Sequence, residues 1–224
     1  MGGKVFKGTV PVDSTAVEKI VALVNSLIAH MHVRLYVIGS CWQMLPQGST
    51  GDIDALVNAR AILRHFSTKD ERTARKMFEK FFKDLGFETA LSGSAVHVKI
   101  PHGQHYHQLD MMFVDYPVQI AQFHRHQLPA GSPYKGMHKQ LALFWLAREH
   151  RLCWSAFQGL YTRDRNNKKD RLLTVDADSV AWILLGESAT ADDLGSFESI
   201  VAALDTTTAD QMKNELILDP AWTN

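Results

Sequence analysis

The spacing of apolar residues along the chain predicts where helices form. Val, Ile and Leu recur at helical spacing over residues 17–28, after a polar start at Asp13 that suits a helix N-terminus. A second helical pattern covers residues 69–85 and ends at Gly86. Further helices are predicted at 118–125, 135–151 and 178–185, with one or two small helices after residue 187.

Shorter apolar runs, bounded by glycine, proline and polar residues, predict strands. These runs cover residues 34–38, 51–57, 87–91, 95–100 and 106–114. We expect the last three strands to be mostly antiparallel, and we expect a hairpin formed by residues 154–161 and 171–175. Together the elements predict an α+β fold, in which a mixed or antiparallel sheet is flanked by helices.

Two carboxylates, Asp52 and Asp54, lie in the predicted strand at residues 51–57. Side chains at positions i and i+2 of a strand leave the same face, about 6 to 7 Å apart. Both acids can therefore share metal ions at one surface of a sheet.

Asp110 is a single acid inside the apolar stretch at residues 107–114. An ionised carboxylate in such a place costs free energy unless it is paired or bound to a cation. One interpretation pairs it with Lys99 or Arg34 at a strand edge. The other places its strand beside that of the other two acids, so that three carboxylates converge and call for divalent cations. Mg²⁺ suits such an all-oxygen site, which substrate phosphates would complete.

Two Gly-Ser pairs are candidates for nucleotide contacts. Gly39-Ser40 ends an apolar run, where a glycine lets a ligand approach the backbone and where amide and hydroxyl groups can hold a phosphate. Gly131-Ser132 precedes a predicted helix, and Tyr134 and Lys135 can stack on and pair with an incoming nucleotide. Core packing and surface solvation are the alternative roles for Tyr134 and Lys135.

Overall charge gives no case for nucleic-acid binding, because Lys+Arg and Asp+Glu are both 24. Local basic groups are the remaining candidates. On the helix at residues 69–85 the basic residues are Arg72, Arg75, Lys76, Lys80 and Lys83. At the tip of the C-terminal hairpin they are Arg163, Arg165, Lys168 and Lys169. Either group could be a solvated face, or a phosphate track whose binding weakens as salt rises.

Cysteine usage and hydropathy predict a cytoplasmic protein without a membrane partner, and we expect a monomer. Cys41 and Cys153 lie far apart, the first residues lack the apolar run of a signal peptide, and no stretch approaches about eighteen apolar residues. Three His-x-His pairs, at 30/32, 105/107 and 124/126, suggest zinc as an alternative metal, although no acid or cysteine accompanies them at ligand spacing.

The order of these motifs resembles the signature of the DNA polymerase beta superfamily of nucleotidyltransferases. Gly39-Ser40 is followed by Gly51-Asp52-Ile53-Asp54 and, in a later apolar strand, by Asp110. The closest likeness is to family X polymerases, in which a Gly-Ser turn precedes Ser-Gly-Asp-hydrophobic-Asp, and it covers roughly residues 17–186. One departure is that Cys41-Trp42-Gln43 stands where those enzymes place a basic triphosphate contact, so Gln43 or a lysine from elsewhere must substitute.

The resemblance implies a palm core at residues 1–118, with a small C-terminal α/β lobe at residues 119–224 that binds nucleotide and nucleic acid. It implies two Mg²⁺ ions, which Mn²⁺ can replace, with Asp52 and Asp54 holding the triphosphate-bound ion and all three aspartates holding the second. It also implies that Gly39, Ser40, Gly51 and the segment around Gly131-Ser132 contact a nucleoside triphosphate.

We expect nucleotidyl transfer to a nucleic-acid 3' hydroxyl, with release of pyrophosphate, by a minimal family X enzyme such as a small repair-type DNA polymerase. The basic groups and the C-terminal lobe favour DNA or RNA as the acceptor. One alternative is template-independent transfer to RNA, a small molecule or a protein. Another is a non-catalytic nucleic-acid-binding relative that keeps the fold.

Overall fold

The computed structural model describes residues 5–43, 48–125, 129, 131–164 and 169–217. The chain divides into two compact units, Met1–Pro117 and Val118–Asn224. The fold is α+β, as the hydrophobic pattern predicts.

The first unit combines helices with a five-stranded sheet and a small two-stranded sheet formed by Val12–Asp13 and Ser49–Thr50. Its elements are β1 (Val12–Asp13), α1 (Ser14–Ile28), β2 (Tyr36–Val37), β3 (Ser49–Thr50), β4 (Ile53–Asn58), α2 (Ala59–His65), α3 (Glu71–Asp84), β5 (Glu88–Ser92), β6 (Ala95–His102) and β7 (His105–Val114). Short 3-10 helices follow α1 at Ala29–Met31 and β2 at Gly39–Gln43. The Asp13 carboxylate begins α1 by accepting a hydrogen bond from the backbone N–H of Ala16 (2.8 Å), as the sequence predicts.

The sheet has the strand order β2-β4-β7-β6-β5. β5, β6 and β7 pair in antiparallel fashion, which confirms the prediction for these three strands. β4 and β7 pair in parallel, and this places Asp54 directly opposite Asp110. The sheet is therefore mixed, and the two acidic strands are neighbours.

Alternation along β4 and β7 separates a core face from an acidic face. Ile53, Ala55 and Val57 belong to one buried apolar cluster with Leu109, Met111 and Phe113 and with side chains of α1 and α3 such as Ile20 and Phe78. Each such fully buried side chain contributes about 1.5–3 kcal/mol. Because successive residues of a strand point to opposite faces, Asp54 and Asp110 lie on the face away from this cluster.

Two features of the first unit differ from the sequence prediction. The acidic strand begins at Ile53, so Asp52 lies in the bend before the strand instead of within it. Helix α2 was not predicted. It begins directly after β4, where the side-chain oxygen Oδ1 of Asn58 accepts a hydrogen bond from the N–H of Ala61 (3.0 Å), and it is too short to show a helical pattern in the sequence.

The second unit combines helices with a three-stranded antiparallel sheet, β8-β9-β10. Its elements, beginning with a helix that starts at the unit boundary, are α4 (Pro117–His124), α5 (Gly136–Glu149), β8 (Cys153–Ser155), β9 (Gly159–Asp164), β10 (Lys169–Thr174), α6 (Ala177–Leu185), α7 (Phe197–Ala203) and α8 (Thr206–Ile217). The predicted hairpin forms from β9 and β10. The prediction of one continuous strand at residues 154–161 was wrong, because a turn at residues 156–158 divides this segment into β8 and β9. Gly159 begins β9 with φ +83, and a Cβ at this position would lie 2.6 Å from the Thr174 carbonyl oxygen, so both the conformation and the close approach require glycine.

Among the helices that the structure describes, none combines the length and the apolar character needed to cross a membrane.

Candidate active site

Two adjacent strands of the first unit, with the bend before one of them, bring the predicted aspartates together. Asp54 in β4 and Asp110 in β7 occupy the same register position on adjacent parallel strands, and Asp52 lies two residues before Asp54 in the preceding bend. On the other side of β4, the N–H of Ile38 donates to the Asp54 carbonyl oxygen (2.9 Å). The backbone that carries Asp54 is therefore held on both sides.

The Gly39-Ser40 turn lies against the same acid. Gly39 has φ +67, and a Cβ at this position would be 3.1 Å from Oδ2 of Asp54. Both the backbone conformation and the close approach therefore favour glycine. The Ser40 hydroxyl shares a hydrogen bond with the Thr50 hydroxyl (2.5 Å), at the end of β3 next to the acidic bend.

Mutual repulsion and burial make the acidic cluster unfavourable without a cation. Burial raises the pKa of Asp54 to about 7, and the charges of Asp52 and Asp110 add to this increase. Burial also raises the pKa of Asp52, with a further contribution from Asp110. A positive ion at this point would relieve both effects.

Asp110 has two partners that the sequence analysis missed. Its Oδ1 lies 2.7 Å from Nδ1 of His97, and both carboxylate oxygens accept hydrogen bonds from the side-chain amide of Gln108 (2.9 and 3.0 Å). His97 is itself buried, and its Nε2 lies 2.6 Å from the Ser92 hydroxyl. The register of the β6–β7 hairpin, which closes at His102 and His105, was the available signal, because it places His97 directly opposite Asp110.

The alternative partners considered for Asp110 were wrong. Lys99 forms an ion pair with Glu88 (2.9 Å), and the Arg34 guanidinium lies over the ring of Tyr36 at 4.7 Å. The strand-edge interpretation of this acid therefore has no support from either residue.

Two of the three carboxylates at this site are suited to hold a hard divalent cation. Among the residues that the structure describes, no three His, Cys, Asp or Glu side chains are arranged so as to hold a metal ion. Asp52 and Asp54 nonetheless supply carboxylate oxygens with raised pKa values, whereas both oxygens of Asp110 are engaged by His97 and Gln108. The residues present therefore fit an ion that takes two carboxylates and completes its coordination with substrate phosphates, as Mg²⁺ does.

The residues that follow Gly39-Ser40 include one that supports the acidic bend and one, Gln43, whose side chain is not described. Burial raises the pKa of the Cys41 thiol to about 12, and its Sγ donates to the Asp52 carbonyl oxygen (3.1 Å), so this cysteine supports the acidic bend. Gln43 is the last residue of a 3-10 helix, and its side chain lies outside the described part of the structure. At Gly51 a Cβ would meet nothing within 4 Å, so local packing alone does not require glycine there.

In the second unit, the predicted nucleotide contacts already have structural partners. Ser132 donates to Oε1 of Glu198 and accepts from the N–H of Tyr134 (3.0 Å). The ring of Tyr134 packs against Phe197 with centroids 4.5 Å apart, and the backbone N–H of Lys135 donates to Nδ1 of His138 (2.7 Å). Gly131 has φ +77 and nothing within 4 Å of an added Cβ.

Several of the described basic residues on the two predicted surfaces pair with acids. On α3, Lys80 pairs with Asp84 (2.7 Å) and Lys83 with Glu79 (2.8 Å). At the hairpin, Nε of Arg163 pairs with Asp170 (3.1 Å). Arg165 and Lys168 lie outside the described residues, as does the side chain of Lys169.

The five-stranded mixed sheet, with helices against one face and acids on the other, has a polymerase beta-like palm fold. A solved structure with this fold is that of polymerase beta from Leishmania infantum in a ternary P/T complex. It matches with a TM-score of 0.51 at 11% sequence identity, over 82% of this chain and 76% of that chain. No protein-family model and no curated protein sequence matches the chain. The comparison therefore confirms a polymerase beta-like fold, as the motif order implies.

Proposed function

We propose that the protein catalyses Mg²⁺-dependent nucleotidyl transfer from a nucleoside triphosphate to a 3' hydroxyl of a nucleic acid, with release of pyrophosphate. The observation that carries this proposal is the placement of Asp54 and Asp110 opposite each other on parallel strands, with Asp52 two residues away and Gly39-Ser40 against Asp54. Three converging carboxylates beside a Gly-Ser turn suit this chemistry better than a structural role, because ionised acids placed together are otherwise destabilising.

Each residue of the cluster has a distinct part in the proposal. Asp52 and Asp54 would hold the ion that accompanies the triphosphate, and all three aspartates would hold a second ion on the side of the attacking hydroxyl. When bound, Mg²⁺ supplies positive charge that stabilises the attacking and leaving oxygens of an in-line displacement. His97 and Gln108 would orient Asp110, and Gln108 would release at least one oxygen when that carboxylate takes up its ligand.

Gly39 and Ser40 would bind the triphosphate. Backbone amides of this turn can donate to a phosphate, and the Ser40 hydroxyl can turn from Thr50 to donate to a phosphate oxygen. Most of the rate would then come from positioning and electrostatic stabilisation. Gln43 is the proposed replacement for the basic contact of family X enzymes.

We further propose a DNA or RNA 3' end as the acceptor, which would make the protein a minimal family X, repair-type polymerase. The fold and the basic tip of the β9–β10 hairpin support this acceptor. A second candidate, template-independent transfer, is favoured by the pairing of Lys80, Lys83 and Arg163 with neighbouring acids, which leaves less free charge for gripping a duplex. Such exposed pairs are weak and exchange readily, so phosphates can still compete for them.

A transfer assay tests both the proposed nucleotidyl transfer and the proposed nucleic-acid acceptor. A labelled primer, alone or annealed to a template, is incubated with Mg²⁺ and each dNTP or NTP, and we expect extension that follows the template. Asp54→Asn and Asp110→Asn should each lower the rate on the order of 100-fold or more, because charge stabilisation is lost in the transition state. Asp115→Asn, which changes an exposed acid of the same unit that pairs with Arg60, is the matched control and should leave the rate unchanged.

The outcomes separate the candidates. Extension that ignores the template would replace the polymerase with a template-independent transferase. Full activity of Asp54→Asn would remove the acidic cluster from the mechanism. Undetectable transfer by the wild-type protein with every acceptor, together with salt-sensitive nucleic-acid binding, would indicate a non-catalytic relative.

A further inference from the structure

A cavity lies in the first unit, at the other end of β4 from the acids. It has a volume of about 360 Å³ and is lined by Asn25, Ala29, His32, Val33, Arg34, Tyr36 and Asn58. Asn58 ends β4, whereas Asp54 lies near the start of this strand. At roughly 3.3 Å per residue the two positions are about 13 Å apart along the strand, so the cavity around Arg34 is distinct from the acidic cluster.

The two asparagines of this cavity present mainly donors to a ligand. The side-chain oxygen of Asn25 accepts from the N–H of Leu35 (2.7 Å), and that of Asn58 accepts from the N–H of Ala61 (3.0 Å). Since each oxygen already accepts one hydrogen bond, the NH₂ groups are the main hydrogen-bonding groups that both side chains offer to a ligand. His32 and Tyr36 add a ring N–H and a phenol, and the lining contains no Asp or Glu.

Arg34 gives the cavity its charge. Its guanidinium lies 4.7 Å over the ring of Tyr36, which holds the planar group in place, and it forms no ion pair with any carboxylate in the described part of the chain. Arg60 makes a useful contrast. It stacks on Tyr116 at the same distance of 4.7 Å, but it is neutralised by Asp115 at 3.0 Å.

We propose that the cavity around Arg34 binds a phosphate monoester of about the size of a nucleoside monophosphate. A planar guanidinium forms two parallel hydrogen bonds with a phosphate, and the NH₂ groups of the two asparagines can donate to the remaining phosphate oxygens. The volume exceeds what a phosphate alone needs and lies at the lower end of the range for small-molecule sites. Ala29 and Val33 supply apolar surface for the ester group, and the stacked guanidinium can carry a base on its outer side.

The binding test uses the wild-type protein in EDTA, so that no divalent cation recruits phosphates to the acidic cluster. Backbone amide chemical shifts are followed by NMR at constant ionic strength during titration with AMP, inorganic phosphate or adenosine. We expect saturable shifts at the cavity residues with AMP, weaker binding of inorganic phosphate and none of adenosine. Equal binding of AMP and phosphate would support the phosphate site and identify the free ion as its ligand. Binding of adenosine as tight as that of AMP would overturn the proposal, because the cavity would then recognise the nucleoside.

Three substitutions test the assignment without disturbing the fold. Arg34→Gln should weaken AMP binding by about tenfold or more, since a charge-assisted contact is lost, whereas Arg60→Gln should not change it. Asn25→Asp and Asn58→Asp keep the acceptor oxygens for Leu35 and Ala61 but replace the NH₂ donor with a negative oxygen. Each should weaken binding by at least about tenfold, with an unchanged melting temperature. Unaltered affinity in Arg34→Gln and in both aspartate variants would refute the site, whatever the result of the transfer assay.

Discussion

The two Gly-Ser turns, one in each unit, share a dipeptide and a backbone conformation but differ in their surroundings. Gly39 and Gly131 have φ values of +67 and +77, in the left-handed region that favours glycine. Ser40 shares its hydrogen bond with a second hydroxyl, that of Thr50, beside the acidic cluster. Ser132 donates to the carboxylate of Glu198 and accepts from the backbone of Tyr134.

This difference shows that the neighbours of a turn decide what it can bind. Two paired hydroxyls can rotate, so either can donate to an arriving phosphate at small cost. A hydroxyl held by a carboxylate would leave that acid without its donor, and the negative charge of Glu198 would repel a phosphate. Of the two turns, the structure therefore favours Gly39-Ser40 as the triphosphate contact.

The largest expected effect in this comparison comes from adding a methyl group at each glycine. Gly39→Ala places a Cβ 3.1 Å from Oδ2 of Asp54 in addition to the strain of a positive φ, whereas Gly131→Ala carries only the strain. We expect Gly39→Ala to lower the transfer rate by roughly 10- to 100-fold, because small displacements of a catalytic group are costly. Gly131→Ala should cost about 1 kcal/mol of stability and change the rate little.

Steady-state kinetics and thermal unfolding of both variants measure these effects. Equal losses of activity in the two variants would show that the two turns play similar roles, contrary to the assignment of triphosphate binding to Gly39-Ser40 alone. Loss of activity only in Gly131→Ala would reverse it.

The next effect concerns the acid that Gly39 touches. Asp54 has a pKa of about 7 in the folded protein, against 3.8 for an unperturbed aspartate. The folded state therefore binds the proton more tightly than the unfolded chain, so stability falls as pH rises from about 4 to 7 and stays low above pH 7. Asp54→Asn should raise the stability of the metal-free protein at pH 8 by about 2 kcal/mol, which amounts to several degrees in Tm.

Thermal unfolding in EDTA between pH 5 and pH 8 measures this dependence, with Asp115→Asn as the control. The wild type should lose stability as the pH rises across this range, and Asp54→Asn should lose clearly less. Some loss should remain in Asp54→Asn, because the pKa of Asp52 is also raised. A pH profile of Asp54→Asn identical to that of the wild type would show that Asp54 is an ordinary surface acid.

Local patterns in the sequence predicted the elements well, because the positions of helices and strands depend mainly on nearby residues. The spacing of Asp52 and Asp54 and the isolated position of Asp110 were sufficient to predict a shared acidic site. The parallel pairing of β4 with β7 was not specified by any local pattern, since strand neighbours across a sheet are set by packing of the whole unit. The start of β4 after Asp52 is a boundary of the kind that sequence patterns place least reliably.

Partners distant in the sequence account for most of what was missed at the site. Glu198 meets Ser132 from 66 residues away, so no local pattern could show that this serine is engaged. His97 was accessible in principle, because the tight turn between β6 and β7 sets the register that pairs it with Asp110. The pairing of Lys80 with Asp84 was also visible, since the two residues are four apart on a helix.

The smallest expected effect comes from removing each serine hydroxyl. Ser132→Ala leaves Glu198 without its donor, and Oε2 of this residue is already buried without a hydrogen-bond partner in the described structure. We expect a loss of about 1–2 kcal/mol of stability, with a transfer rate unchanged once the fraction of folded protein is taken into account. Ser40→Ala should change stability little, since Thr50 can bond to water, but it should raise KM for the nucleoside triphosphate several-fold. The double variant Ser132→Ala, Glu198→Gln tests whether the unpaired Glu198 carboxylate causes the loss of stability: if it does, the double variant should be more stable than Ser132→Ala. An increase in KM in Ser132→Ala as large as that in Ser40→Ala would instead show that the second turn also binds nucleotide.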